Sequence, residues 1–312
     1  MASVADERAV DTRLRLAAVE HVKRVAVSGI LTSEDLRAGF VVDGTRVPLI
    51  NPQRGIFKPK EMRFLLSVRT VFPSTGRKVW YDDQRQVHQQ IERGQELIDY
   101  AFMKDDPEAA DNRWLREVQD DQVPIIYFLG VAPARYTAIW PTFVADWLPR
   151  ELKARLAFGA PASKAATWSL PDVPERRYGL RLVRQRLHQA TFREAVLAAY
   201  ENRCAISGLP EPRLLDAAHI VADTHEDWGQ PVVPNGLPLS KLHHAAFDAN
   251  LIGIDPDYRV HISGELLSMD DGPMFEQGIK ALAGRTLRLP RRDIDRPDRD
   301  RLAQRFREFR EA

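Results

Sequence analysis

Four residues in the C-terminal half of the chain combine side-chain types and spacing that can do chemistry: His219, Asn235, His244 and Asp248. His244 and Asp248 lie four apart in Leu242-His243-His244-Ala245-Ala246-Phe247-Asp248. On a helix that spacing puts an imidazole nitrogen and a carboxylate oxygen on one face, and such a pair can hold a divalent cation. His219 ends the apolar stretch Leu214-Leu215-Asp216-Ala217-Ala218-His219 and would face the pair from a strand. Asn235 is placed to hydrogen-bond the backbone near His219, a contact that fixes an imidazole's orientation. Taken singly, a histidine in an apolar strand is more often a packed core residue, and His243-His244 reads as helix surface. Only the joint spacing argues for a site.

The elements that must position these residues follow from the same stretch. Leu214 to Val221 suits a short strand. The loop 222–234 carries Asp223, Asp227, Gly229 and two prolines, which is turn chemistry. Asn235-Gly236 reads as a hairpin turn, with Leu237-Pro238-Leu239 as the return strand. Ser240 caps a helix through Asp248. The expected order is strand, turn, strand, helix.

This order resembles the HNH, or ββα-metal, nucleases, on Ala218-His219-Ile220, Asn235-Gly236-Leu237 and the histidine-rich helix, with His244 nine and Asp248 thirteen residues after the asparagine. The resemblance extends from about Arg184 to Ser263, taking in Gln189-x-x-Phe192-Arg193 and Cys204-x-x-Ser207-Gly208. It implies that His219 is the general base, that Asn235 positions it, and that His244 and Asp248 bind one divalent ion, Mg2+, Mn2+, Co2+ or Ni2+. Two departures stand out. Many members carry Asp or His immediately before the base, where this chain has Ala218, so Asp216 is the substitute ligand considered. Many also frame the site with two CxxC pairs around a structural zinc. At those places stand Cys204 and Ser207, then Ser240 and His243, and serine is a poor zinc ligand. A structural zinc is therefore not expected.

With 312 residues, 44% of them hydrophobic, the chain has length for two cored domains. The one cysteine excludes an intramolecular disulfide, no run is long enough to span a bilayer, and Asp6, Glu7 and Arg8 stand where a secretory signal needs apolar residues. No membrane partner is expected, and the cytoplasm is the expected compartment. A net charge of +1 neither supports nor excludes DNA, since what matters is how Lys and Arg are distributed. The arginine-dense stretch 285–310 interleaves acidic residues and reads as a salt-bridged face.

Before the site, residues 10–25 have helical spacing, Thr32 and Asp35 form a capping box for a helix at 33–38, and Asp43-Gly44 turns a hairpin across 40–47. Strands are expected at 63–72, 79–81, 97–103, 123–131 and 136–143, with a helix at 107–119. The expected fold is α+β: a curved sheet or small barrel with helices, a linker, and a C-terminal ββα-metal nuclease domain. Gly, Ala, Pro and Ser place the linker at 159–179, between domains at 1–158 and 180–312. The domain order resembles the modification-dependent, McrA-like HNH restriction endonucleases of bacteria, which implies an SRA/PUA-like first domain reading modified cytosine. Trp80, Tyr81, Asp82, Asp99 and Tyr100 are candidates for gripping a flipped base; sheet core is the alternative for the aromatics. Double-stranded DNA is the expected partner and a homodimer the expected assembly. Two other readings stay open: a nuclease indifferent to modification, of toxin or phage-processing type, and a DNA-binding module whose HNH fold is dead at Ala218.

Overall fold

A computed structural model describes residues 4–26, 29–72, 83–159, 169–225, 228–269 and 272–312. The chain divides into two compact units, Met1–Ala190 and Thr191–Ala312.

The first unit opens with α1 (Val4–Val25), which starts earlier than the expected residue 10 because Asp6 and Glu7 complement the positive end of the helix. Its stripe of Leu14, Ala18 and Val22 is buried, and so is Arg15. The Arg15 guanidinium pairs with Asp11 (2.8 Å) and donates to the carbonyls of Leu65 and Pro124 (2.9 Å each). Strand β1 (Ile30–Thr32) leads into α2 (Ser33–Ala38), with the expected capping box: the Thr32 hydroxyl accepts from the Asp35 amide and the Asp35 carboxylate from the Thr32 amide. In the hairpin of β2 (Phe40–Val42) and β3 (Thr45–Val47), Asp43 and Gly44 both take positive φ, 50° and 75°, as a two-residue turn of this kind demands.

Next come β4 (Ile56–Phe57), β5 (Ser67–Thr70), α3 (Asp83–Glu92), β6 (Ile98–Ala101), α4 (Ala110–Asp120), β7 (Ile125–Ala132), β8 (Arg135–Leu148) and β9 (Lys153–Phe158). Among the described residues they build a seven-stranded sheet in the order β4-β5-β7-β8-β9-β6, with β1 on β8. Only β5 and β7 run parallel among these pairs. Register shifts within β7 and β8 mark bulges, which bend strands, and the sheet curls into a half-barrel. The architecture is mixed α+β with a curled sheet, as expected. The strand expected over 63–72 shortens to Ser67–Thr70, since Leu65 gives its carbonyl to Arg15 rather than to a neighbouring strand. The expected strand at 79–81 lies outside the described residues.

Of the stretch read as a linker, residues 160–168 lie outside the described residues. From Val173 the chain is helical, forming α5 (Val173–Ala199) with proline in its first turn, where its missing amide hydrogen costs nothing. Leu180, Val183, Leu187 and Ala190 of α5 pack into the first unit's core, so the division between units falls inside this helix, between Ala190 and Thr191.

The second unit continues with β10 (Leu215–His219), β11 (Gly236–Ser240), α6 (Lys241–Asp248), β12 (Ile252–Ile254), β13 (Val260–Ile262), α7 (Gly264–Ser268), α8 (Pro273–Gly278) and α9 (Arg299–Glu311). Phe192, Val196, Leu215, Leu239, Phe247 and Leu302 are among its core residues. The arginines of 285–310 are largely paired: Arg291 with Glu201, Arg292 with Asp295, Arg296 with Asp293 and Arg299 with Asp257. No helix among the described residues is long and apolar enough to cross a membrane.

Asn235-Gly236 is not a hairpin turn, which corrects the sequence expectation. Strands β10 and β11 pair antiparallel with His219 opposite Gly236, but the whole of 220–235 joins them. Gly236 is extended, at φ −131° and ψ 141°. Its missing side chain provides room instead: a Cβ there would lie 2.4 Å from Val196 Cγ2 and 2.8 Å from Phe192 Cζ.

Candidate active site

Two anchors hold β10 and α6 in place. Buried Arg193 of α5 donates to the carbonyls of Pro212 and Leu215 (2.9 Å each), fixing where β10 begins. The Ser240 hydroxyl accepts from the His243 amide (3.2 Å) and caps α6 as it leaves β11.

His219 ends β10 with its ring stacked on Phe192, centroids 4.2 Å apart and planes inclined by 15°. Its Nε2 is buried and meets no hydrogen-bond partner among the described residues. Burial holds the imidazole below its ordinary pKa; the nearby His244 charge acts the same way, while Asp223 and Asp248 oppose it. The ring is therefore neutral near pH 7, the form that can accept a proton. Asn235, wholly buried, fixes the backbone just beyond. Its Oδ1 accepts from the Val221 amide (3.0 Å), its Nδ2 donates to the carbonyls of Val221 (3.0 Å) and Gln230 (3.1 Å), and its own carbonyl accepts from the Ile220 amide (2.9 Å).

The helical spacing brings His244 and Asp248 together, with Nε2 3.3 Å from the carboxylate. Asp216 stands on the other side of the ring, 4.0 Å from Nδ1, an electrostatic contact rather than a hydrogen bond. The two carboxylates, Asp216 first, raise the His244 pKa. Among the described residues no three or more His, Cys, Asp or Glu side chains converge as a ready metal cage. The donor set still fits a cation. One imidazole with flanking carboxylates suits an ion that keeps waters and substrate oxygens in its remaining positions, and the negative potential of Asp216 and Asp248 attracts a cation.

Cys204, Ser207, Ser240 and His243 also converge, through hydrogen bonds. Cys204 Sγ accepts from the amides of Ser207 and Ser240 (3.4 Å each) and lies 3.5 Å from His243 Nδ1, while His243 Nε2 donates to the Gly278 carbonyl (2.8 Å). Burial pushes the thiol up, but these bonds outweigh it and bring its pKa down to about 6. The Ser240 hydroxyl is spent on the helix cap, so one thiol and one imidazole nitrogen remain, too few donors for a structural zinc.

Sequence reasoning gave no role to three contacts. Phe192 entered only as part of the Gln189-x-x-Phe192-Arg193 resemblance. Asp223, which faces His219 electrostatically, sits in a loop with no distinguishing pattern. Arg305 of α9 donates to the Phe247 carbonyl (2.6 Å), bonds Asn250 and pairs with Glu308 (3.0 Å), its guanidinium 4.8 Å from the Phe247 ring centroid. It thus ties down the last turn of α6, next to Asp248. Replacing Arg305 with Ala is expected to lower stability by about 1.5–3 kcal/mol through the lost hydrogen bond from a charged group, the Phe247 carbonyl keeping its bond from the Asn250 amide (3.1 Å), with Arg305→Lys recovering part. Urea denaturation measures this, and an unchanged midpoint would show that α6 needs no such tie.

In the first unit, Trp80, Tyr81 and Asp82 lie outside the described residues. Asp99 and Tyr100, neighbours on β6, are not brought together. The Tyr100 ring is buried with its hydroxyl donating to the Gly55 carbonyl (3.0 Å), whereas Asp99 pairs with Lys153 (3.0 Å).

Residues 204–255 match the model of a family described as HNH endonuclease. No curated protein matches the chain. Among solved structures it is similar to one described as a modification dependent TagI restriction endonuclease, at 14% identity and TM-score 0.30, over 82% of this chain and 85% of that one. At that identity and score the likeness assigns neither a fold nor a function.

Proposed function

We propose that the chain, whose residues 204–255 match the model of an HNH endonuclease family, is a metal-dependent DNA endonuclease of restriction type. The second unit cuts, and the first, as an SRA/PUA-like domain, reads 5-methylcytosine or 5-hydroxymethylcytosine. The observation that carries the catalytic part is the neutral His219 imidazole, without a partner at Nε2, within electrostatic reach of His244 and Asp248. The recognition part rests on the domain order and on a curled sheet in a unit separate from the nuclease.

In this mechanism His219 takes a proton from a water molecule as the water oxygen attacks phosphorus. The bond from phosphorus to the 3′ oxygen breaks, the leaving oxygen collects a proton from solvent, and the products carry a 5′-phosphate and a 3′-hydroxyl. Asn235 holds the backbone that aims His219. His244 and Asp248, with Asp216 beside them, would hold a divalent cation, which stabilises charge on a phosphate oxygen and the leaving oxygen. Two copies acting together would cut both strands, so a homodimer on DNA belongs to the proposal.

The test is cleavage of matched duplexes carrying cytosine, 5-methylcytosine, 5-hydroxymethylcytosine or N6-methyladenine, each with Mg2+, Mn2+, Co2+ or Ni2+. Cutting confined to modified cytosine and abolished by EDTA is the expected result. Equal cutting of every duplex would remove the modification reader and leave the nuclease; no cutting with any metal would overturn the catalytic reading in favour of a DNA-binding module.

A further inference from the structure

Phe192 touches both members of one cross-strand pair. Its ring stacks on His219 at 4.2 Å and 15°, and it crowds Gly236, the residue opposite His219, so closely that a Cβ there would lie 2.8 Å from Cζ and 2.9 Å from Cε2. The phenyl ring is 3% exposed and packed in the second unit's core. From this geometry we propose that Phe192 is a positioning residue for the reaction, setting the plane of the His219 imidazole and hence the direction of its nitrogens. The proposal rests on His219 being the base.

The physical need is specific. The β10 backbone and the Asn235 bonds fix where the His219 side chain starts, but rotation about a histidine's last side-chain bond is broad and roughly two-fold. A flat aromatic face parallel to the imidazole removes that freedom. A leucine would keep the position apolar and fill part of the volume, yet it has no flat face to match. Gly236 allows the arrangement, because α5 can press its ring against β11 only where no side chain intervenes. Proton transfer depends steeply on such placement, and an error of about 1 Å can cost about a hundredfold in rate.

The test compares wild-type protein with Phe192→Leu, using the duplex and metal that the wild type cuts best. Two readouts are needed: the steady-state constants, and the imidazole proton shifts of His219 by NMR, assigned by their absence in His219→Ala. Stacking on a phenyl face moves those protons upfield. The expected result for Phe192→Leu is a folded protein by circular dichroism, loss of the upfield shift, and kcat lower by about tenfold or more with KM for DNA unchanged. A kcat close to wild type, or a wild-type His219 without the upfield shift, would overturn the proposal. If Phe192→Leu does not fold, Phe192→Met takes its place under the same criteria. If the wild type cuts nothing, the nuclease reading fails and the positioning role falls with it; a wild type that cuts while Phe192→Leu keeps its kcat overturns the positioning role alone.

Discussion

Replacing His219 with alanine is expected to lower the cleavage rate by about 10²–10⁴-fold, the usual contribution of a positioned general base. No second histidine substitutes for it, because His244, paired with Asp248 and beside Asp216, is occupied with the cation in the proposed mechanism. The fold should survive. The half-buried imidazole makes no hydrogen bond at Nε2 that the change would break, and the strand it ends is held by Arg193 and by pairing with β11. DNA binding should survive as well, since a neutral ring contributes no charge to the phosphate attraction that dominates affinity. Single-turnover cleavage, fluorescence anisotropy with labelled duplex and circular dichroism separate the three effects. An unchanged rate would falsify the assignment of His219 as the base.

The second large effect belongs to Asn235. Its side chain satisfies the Val221 amide and the carbonyls of Val221 and Gln230 from a wholly buried position. Alanine there strands the Val221 amide and carbonyl, while the Gln230 carbonyl keeps the Val232 amide (2.8 Å); at about 1–3 kcal/mol for each buried group left unpaired the expected loss is at least about 2 kcal/mol. Asn235→Asp should do no better despite its matching shape, because its second oxygen would face two carbonyl oxygens where an amide donated. Activity should fall with stability, since the loop leaving His219 loses its tie to β11. Urea denaturation of both variants checks this, and a shift below about 1 kcal/mol would mean that the loop is held by other contacts.

Features settled by a few neighbouring residues were legible in advance. The Thr32–Asp35 capping box, the Asp43-Gly44 turn, the Ser240 cap and the shared face of His244 and Asp248 depend on spacings of four residues or fewer, where helix and turn geometry leave little choice. Adjacent residues of a strand project to opposite faces, and Asp99 and Tyr100 of β6 accordingly have separate partners, Lys153 and the Gly55 carbonyl. Asn235-Gly236 shows the limit of local signals: the dipeptide favours a tight turn, yet Gly236 is extended in the β10–β11 ladder opposite His219, its missing side chain leaving room for Phe192 and Val196 of α5.

The order of residues set the kinds of group in the candidate site and their local geometry: an imidazole closing a strand, a histidine and an aspartate one helical turn apart, and a capping serine between strand and helix. Long-range packing set what surrounds them. It brought Asp216 to 4.0 Å from His244, laid Phe192 on His219, gathered Cys204 and His243 into a hydrogen-bonded cluster and set Arg305 on the last turn of α6. It also moved the division between units from the Gly- and Pro-rich stretch into α5, whose first turns pack in one core and whose last turns pack in the other. The physical reason is range. Capping and periodicity act within a turn or two of chain and leave a pattern in consecutive residues, whereas stacking, burial and long-range hydrogen bonds depend on which distant segments pack together, and adjacent residues carry no mark of that.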